Sequence, residues 1–175
     1  MKYGKAVKKS MEMLAQDERV IFVGYSIAYN GKAYGTLKDV PREKILESPL
    51  AENLMTGLGI GMSLEGFLPV VFFERHDFLL DASDAIVNHL DKIESISKNQ
   101  FKTPVIIRAV VGHDKPLDPG AQHLQDFTKA FREMVNFPIY EPSTSKRVLD
   151  IYKSLLNTSG PAMVVERKSL YNQEI

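Results

Sequence analysis

The chain has 175 residues, with 22 Lys+Arg against 22 Asp+Glu and a net charge of zero, which argues against an electrostatic grip on nucleic acid or an anionic membrane. It has no cysteine, so disulfides, thiolate metal sites and a thiol nucleophile are excluded. No apolar run approaches the roughly 18 residues of a membrane span, the N-terminus reads as a helix rather than a signal peptide, and the 44% apolar content suits one folded domain over residues 1–175, expected to be soluble and cytoplasmic.

Taken in order, residues 3–16 place Val7, Met11, Leu14 and Ala15 on one face of an amphipathic helix. Val20 to Tyr25 is a continuous apolar run, as in a buried parallel strand. Tyr29 to Thr36, with Gly31 and Gly35, reads as a loop, and residues 41–47 as a short polar connection. Leu68 to Phe73 is a second buried strand. From Asp77 a long helix is expected, because Phe78, Ala82, Ala85, Ile86, His89, Leu90 and Ile93 recur at helical spacing, which also puts His89 in the core. Pro104 to Val111 is a third strand. The polar segment Gly112 to Gly120 follows it, at the carboxyl end where open α/β sheets bind ligands. Helical spacing resumes at Phe127, Ala130, Phe131 and Met134. Pro138 to Glu141 is a short strand, Ser143 or Ser145 caps a helix through Val148, Leu149, Tyr152 and Leu156, and Ala162 to Glu166 is the last strand. Alternating strands and helices predict a three-layer α/β fold, a mainly parallel sheet with helices on both faces.

One stretch stands apart, Ser48 to Met62. Ser48 is placed to cap a helix and Pro49 suits its first position. Leu54, Met55, Leu58, Ile60 and Met62 cover every side, which predicts a helix buried all round. Gly57, Gly59 and Gly61 each cost roughly 1 kcal/mol of helix stability relative to Ala, so a closely packed second backbone is expected there. Glu52 heads this helix. The plain reading is a first-turn carboxylate favoured by the helix dipole. The functional one is a carboxylate denied water by apolar neighbours, which raises its pKa and suits proton transfer.

Glu52, four residues, Gly57, Leu58, two residues, Gly61 and Met62 match the motif of the pyrimidine-binding domain of thiamine-diphosphate enzymes. Stretches at 19–24, 48–52, 66–88, 101–108, 122–125, 141–143 and 166–171 follow one another as in the beta subunit of 2-oxoacid dehydrogenase first components, of the pyruvate dehydrogenase type. The chain thus resembles a transketolase-like pyrimidine-binding domain over residues 4 to 171. The resemblance implies that Glu52 hydrogen-bonds the aminopyrimidine of thiamine diphosphate and promotes loss of the thiazolium proton. His123, in Gln-His-Leu-Gln, is implied as a proton donor or hydrogen-bond partner to substrate. Leu50 and Phe78 become pocket neighbours. Arg75 and His76 stand where many members carry an aromatic residue against the pyrimidine. They either line that pocket, since an arginine can stack on a flat ring, or merely begin a helix.

The family's beta subunit continues into a second domain, here expected to be absent or separately encoded because the sequence stops at Ile175. No Gly-Asp-Gly is present, the segment that begins the diphosphate and metal site in such enzymes. The resemblance therefore implies that Mg²⁺ and the diphosphate are held by an alpha-type partner chain, in a homo- or hetero-oligomer. The expected function is a beta-type subunit acting on a 2-oxoacid or related carbonyl compound; half of a split transketolase-type enzyme and a non-catalytic scaffold are the alternatives. His113, Asp114 and Lys115 are polar loop residues near substrate access, and Glu166 is given no chemistry. No hydrolase elbow or phosphate-binding Walker loop occurs.

Overall fold

A computed structural model describes residues 1–29, 31–113 and 118–175. Asp114 and Lys115 lie outside them. Six parallel strands run in the order β2-β1-β3-β4-β6-β5: β1 Val20–Gly24, β2 Ile45–Glu47, β3 Leu68–Phe73, β4 Ile106–Val111, β5 Ile139–Tyr140 and β6 Ala162–Arg167. Alternation along each strand sorts the core into two layers. Val20, Phe22, Val70, Phe72, Ile106, Val110, Ala162 and Val164 face helices α1 (Tyr3–Leu14) and α5 (Ser145–Leu155). Val71, Phe73, Ile107, Ala109, Met163 and Val165 face the opposite layer, where Met55, Leu79, Ile86, Leu90 and Phe131 pack. That layer holds α2 (Glu52–Leu64), α3 (Ile93–Ile96) and α4 (Thr128–Met134). The three-layer, parallel reading therefore stands. Among the described residues no helix is long and apolar enough to cross a membrane.

Several local expectations are corrected. The connection at 41–47 contains β2, an edge strand whose Ile45 is buried while Leu46 is exposed. Its last residue, Glu47, accepts from the backbone N–H groups of Ser26, Ile27 and Ala28, so a carboxylate shapes the loop after β1. Ser48 does not cap α2. Its N–H donates to Gly24 O at 2.9 Å, prolonging the β1–β2 ladder, and the helix starts only after Ala51, the true N-cap. The helix expected from Asp77 is broken into a 3₁₀ turn (His76–Leu80), a π-helical segment (Ala85–Leu90) and α3. Asn53 Oδ1 accepts the Ala85 N–H at 3.2 Å, and the wider π turn rotates His89 outward, where its side chain is 63% exposed beside Asp84. Thr144, rather than Ser143 or Ser145, caps α5 by accepting from Arg147 N at 3.2 Å.

Two features lie on the α1 face. Glu166 is fully buried and gathers a polar cluster. Arg108 Nε and Nη2 donate to its two oxygens at 2.9 Å each, Tyr152 Oη donates at 2.6 Å, and Tyr171 Oη donates to Oε2. Burial alone would lower the Arg108 pKa; the adjacent Glu166 carboxylate outweighs it and holds the guanidinium firmly protonated. The second feature is a left-handed turn. Lys32, Ala33, Tyr34 and Gly35 have φ of 40°, 52°, 59° and 77°, a conformation costing roughly 1–2 kcal/mol for each non-glycine residue. It is held by Tyr34 Oη donating to Glu74 O at 2.9 Å and by edge contacts of the Tyr34 ring with Phe72 and Tyr171.

Candidate active site

The carboxyl ends of β1 and β3 and the start of α2 enclose a narrow cleft lined by Tyr25, Leu50, Glu52, Met55, Phe72, Phe73, Glu74 and Phe78. Glu52 is the first helical residue of α2, where the dipole favours a carboxylate. Its position is fixed from both sides. Met55 N donates to Ala51 O at 2.9 Å to start the ladder, and the Asn53–Ala85 bond ties the same turn to the π segment. Deeper in the helix, a Cβ on Gly59 would sit 2.7 Å from Val71 Cγ2, so this glycine lets α2 press onto β3.

The cleft's volume is about 20 Å³. That is room for about one water molecule and not for an aromatic ring. Glu52 is only partly buried and Leu50 is 60% exposed. The cleft is thus open on the Leu50 side, where Glu52 stays in reach of solvent.

Glu52, Leu50 and Phe78 come together in this cleft. His123 approaches it from behind, its ring edge-on to Phe78 with centroids 5.6 Å apart. Gln125 holds that loop in place by donating to Asp77 Oδ1 through its backbone N (3.3 Å) and Nε2 (3.0 Å). His123 Nδ1 is buried and finds no hydrogen-bond partner among the described residues. Arg75 and His76 are placed elsewhere. Arg75 Nη1 donates to Gly112 O at 3.1 Å, and its guanidinium lies 5.6 Å from the Tyr34 ring centre. The His76 ring is fully buried, accepts Phe127 N–H at Nδ1 (3.1 Å) and stacks on Phe127. Burial keeps its pKa below the ordinary imidazole value, against the pull of Asp126, Asp77 and Glu141. Neither residue lines the cleft. Tyr25, Met55, Phe73 and the Asp77–Gln125 clamp were missed from sequence. Tyr25 and Phe73 stand at the carboxyl ends of β1 and β3 and the clamp lies in the segments after strands, which was the available signal, whereas Met55 faces the cleft from within α2.

The expectation that α2 is buried all round is also corrected. Met55, Thr56, Gly59 and Ser63 face the core, but Leu54 and Leu64 are 47% and 42% exposed. A Cβ on Gly57 or Gly61 would meet nothing within 4 Å. Two shallow hollows lie on this outer side. One, of about 500 Å³, runs over Leu54, Leu58, Gly61, Met62 and Phe67. The other, of about 400 Å³, lies between Gly57, Ile60, His89, Ile93 and Ile96. Among the described residues no group of three or more His, Asp or Glu is arranged to hold a metal ion.

A six-stranded parallel sheet covered by helices on both faces is the fold this chain shares with the transketolase pyrimidine-binding domain. The family model for that domain matches residues 1–174, and the chain belongs to this family. Among curated relatives it is 30% identical over 165 residues to the pyruvate dehydrogenase E1 component subunit beta of Cyanidium caldarium, covering 92% of this chain and 50% of that one. It is 26% identical over 176 residues to the 2-oxoisovalerate dehydrogenase subunit beta of Bacillus subtilis (strain 168), covering 98% of this chain and 53% of that one. The chain thus spans about half the length of these relatives. A solved structure titled "Split gene transketolase, inactive beta4 tetramer" shares the fold with a TM-score of 0.74 at 19% identity, over 97% of this chain and 52% of that one.

Proposed function

We propose that this chain is the beta-type, pyrimidine-binding half of a thiamine-diphosphate enzyme acting on a 2-oxoacid or related carbonyl compound, with Glu52 as its catalytic group. The observation that carries this is the placement of Glu52 in the first turn of α2, in a cleft it shares with Leu50 and Phe78. A carboxyl between apolar side chains suits one edge of a flat heteroaromatic ring: apolar walls for the faces, one proton-sharing oxygen for a ring nitrogen. The cofactor, when bound, supplies the electron sink for the carbonyl chemistry. With the opening at Leu50 widened on assembly to admit a ring, Glu52 would hold and return a proton at a ring nitrogen, Leu50 and Phe78 would flank the ring, and His123 would stand on the substrate side. The diphosphate and Mg²⁺ are assigned to an alpha-type partner chain.

At the Glu52 cleft the isolated chain is expected to bind thiamine diphosphate weakly or not at all with Mg²⁺ present. Calorimetry of the natural chain and of Leu50→Ala tests this, and sub-micromolar affinity that the Leu50 substitution weakens would contradict the shared site. Half of a transketolase-type enzyme is the second reading, resting on the fold shared with the split-gene chain. Turnover of a ketose donor but of no 2-oxoacid, once a partner is supplied, would select it.

The open side of α2 is assigned to subunit contact. Gly57 and Gly61 face open space in the single chain, so replacing them by alanine should stabilise the monomer by roughly 1 kcal/mol each through helix propensity. Leucine at the same two positions should instead block a backbone from approaching. Sedimentation at micromolar concentration is expected to show a dimer or larger species for the natural chain and a smaller one for Gly57→Leu/Gly61→Leu. Equal masses for the two would count against this surface.

A further inference from the structure

On the opposite face of the sheet from Glu52, a cleft of about 510 Å³ opens between α1, the left-handed turn at 32–35 and the segment after β6. Its lining carries Lys2, Lys5, Lys8, Lys9 and Lys168 against one acid, Glu12, although the chain as a whole is neutral. We propose that this cleft binds a phosphorylated small molecule carrying two or more negative charges.

The spacing supplies the first argument. Lys2, Lys5 and Lys9 stand three and four residues apart and share one side of α1. Like charges at that spacing weaken a helix. Lys8 is neutralised by ion pairs to Asp39 and Glu12, whereas Lys2, Lys5 and Lys9 make no ion pair with any described residue. An anion in the cleft relieves the repulsion that the fold leaves uncompensated.

The opposite wall supplies the second. Lys168 Nζ lies 4.9 Å from the Tyr34 ring centre and 4.5 Å from that of Tyr171, which fixes a further cation across the cleft from α1. Positive charge on two facing walls suits a ligand charged at more than one point. The strained turn that presents Tyr34 is part of this wall, and strain of this kind persists where the surroundings over-determine it.

The backbone does not compete for the role. The N–H groups of Tyr3 and Gly4 at the head of α1 already donate to Gln173 O and Tyr171 O at 2.9 Å each. Recognition therefore falls to lysine ammonium groups, compact point charges that suit phosphate. The volume lies in the range of small-molecule sites, and the lysines surround one concavity instead of following a stripe, which favours a small anion over a nucleic-acid strand.

Titration of the full chain with inorganic diphosphate, without metal, tests the proposal, with inorganic phosphate as the less charged probe. Saturable binding at one site is expected, tighter for diphosphate and weakening with added salt. Lys5→Gln/Lys9→Gln removes the positive charge from two exposed side chains and should lower diphosphate affinity by about tenfold or more. Lys129→Gln, on the other face, should leave it unchanged. Absence of saturable binding, or equal affinity in the natural chain and the Lys5→Gln/Lys9→Gln variant, overturns the proposal. A thermal melt of the variant matching that of the natural chain assigns the loss to the cleft and not to the fold. Neither cofactor nor turnover enters the measurement, so its failure would leave the reading of Glu52 untouched.

Discussion

Glu52→Gln is expected to lower turnover by about 10²–10⁴-fold in a reconstituted complex, the usual cost of removing a positioned proton-transfer group. The substitution keeps the side chain's size and most of its hydrogen-bonding capacity, so the shape of the cleft should not change. Cofactor affinity should move little, because the diphosphate and the metal are assigned to the partner chain. The pattern to look for is a loss in kcat with the cofactor's Kd preserved. Glu133→Gln, an exposed residue of α4 far from the cleft, is a fitting control. Near-normal turnover of the Glu52 variant beside an active natural complex would remove Glu52 from the mechanism.

Glu166→Gln is expected to act in a different way, on stability. Glu166 is the only counter-charge for Arg108 among the described residues, and both side chains are buried to within 1% of full. Removing one member of such a pair strands the other, at a cost of about 3–5 kcal/mol. For a domain of this length that corresponds to a fall in Tm of roughly 6–20 °C. The hydroxyls of Tyr152 and Tyr171 would also lose their charged acceptor. A double-mutant cycle sharpens the claim. Arg108→Met combined with Glu166→Gln no longer leaves a lone buried charge, so the double variant should be more stable than the sum of the single losses predicts. Strict additivity would show that the cluster is not held together by the ion pair. Glu166 thus has a structural role that its place at the end of an apolar strand did not disclose, since the partners are 58, 14 and 5 residues away in sequence.

What the sequence discloses and what it hides follow from the range of each interaction. Apolar runs such as Val20–Gly24 and Leu68–Phe73 read directly as strands buried on both faces, because in a parallel sheet every residue of the run meets a helix. The edge strand Ile45–Glu47 was hidden, since it is short and carries its own charges. The start of α2 lies three residues beyond the expected one, because a sheet hydrogen bond from Ser48 overrides a capping residue followed by proline. The break at 81–84 is followed at Ala85 by a bond to the distant Asn53 side chain, and no local periodicity records it. For the candidate site, a motif resemblance singles out Glu52 in the sequence, and the fold places Leu50 and Phe78 in the same cleft. The distant bonds that turn Arg75 and His76 away from the cleft, to Gly112 and to Phe127, left no trace in sequence.

On the proposed reading, a chain that carries no Gly-Asp-Gly segment supplies the proton-sharing carboxylate to a cofactor whose diphosphate is held by another chain. The most direct test is deuterium uptake at the thiazolium carbon of thiamine diphosphate, measured in the complex of this chain with a partner carrying the Gly-Asp-Gly segment. Uptake should be fast with the natural chain, slower by about 10²–10⁴-fold with Glu52→Gln, and absent enhancement with either chain alone. Equal uptake with the natural and the Glu52→Gln chain, at matched cofactor occupancy, would contradict the account.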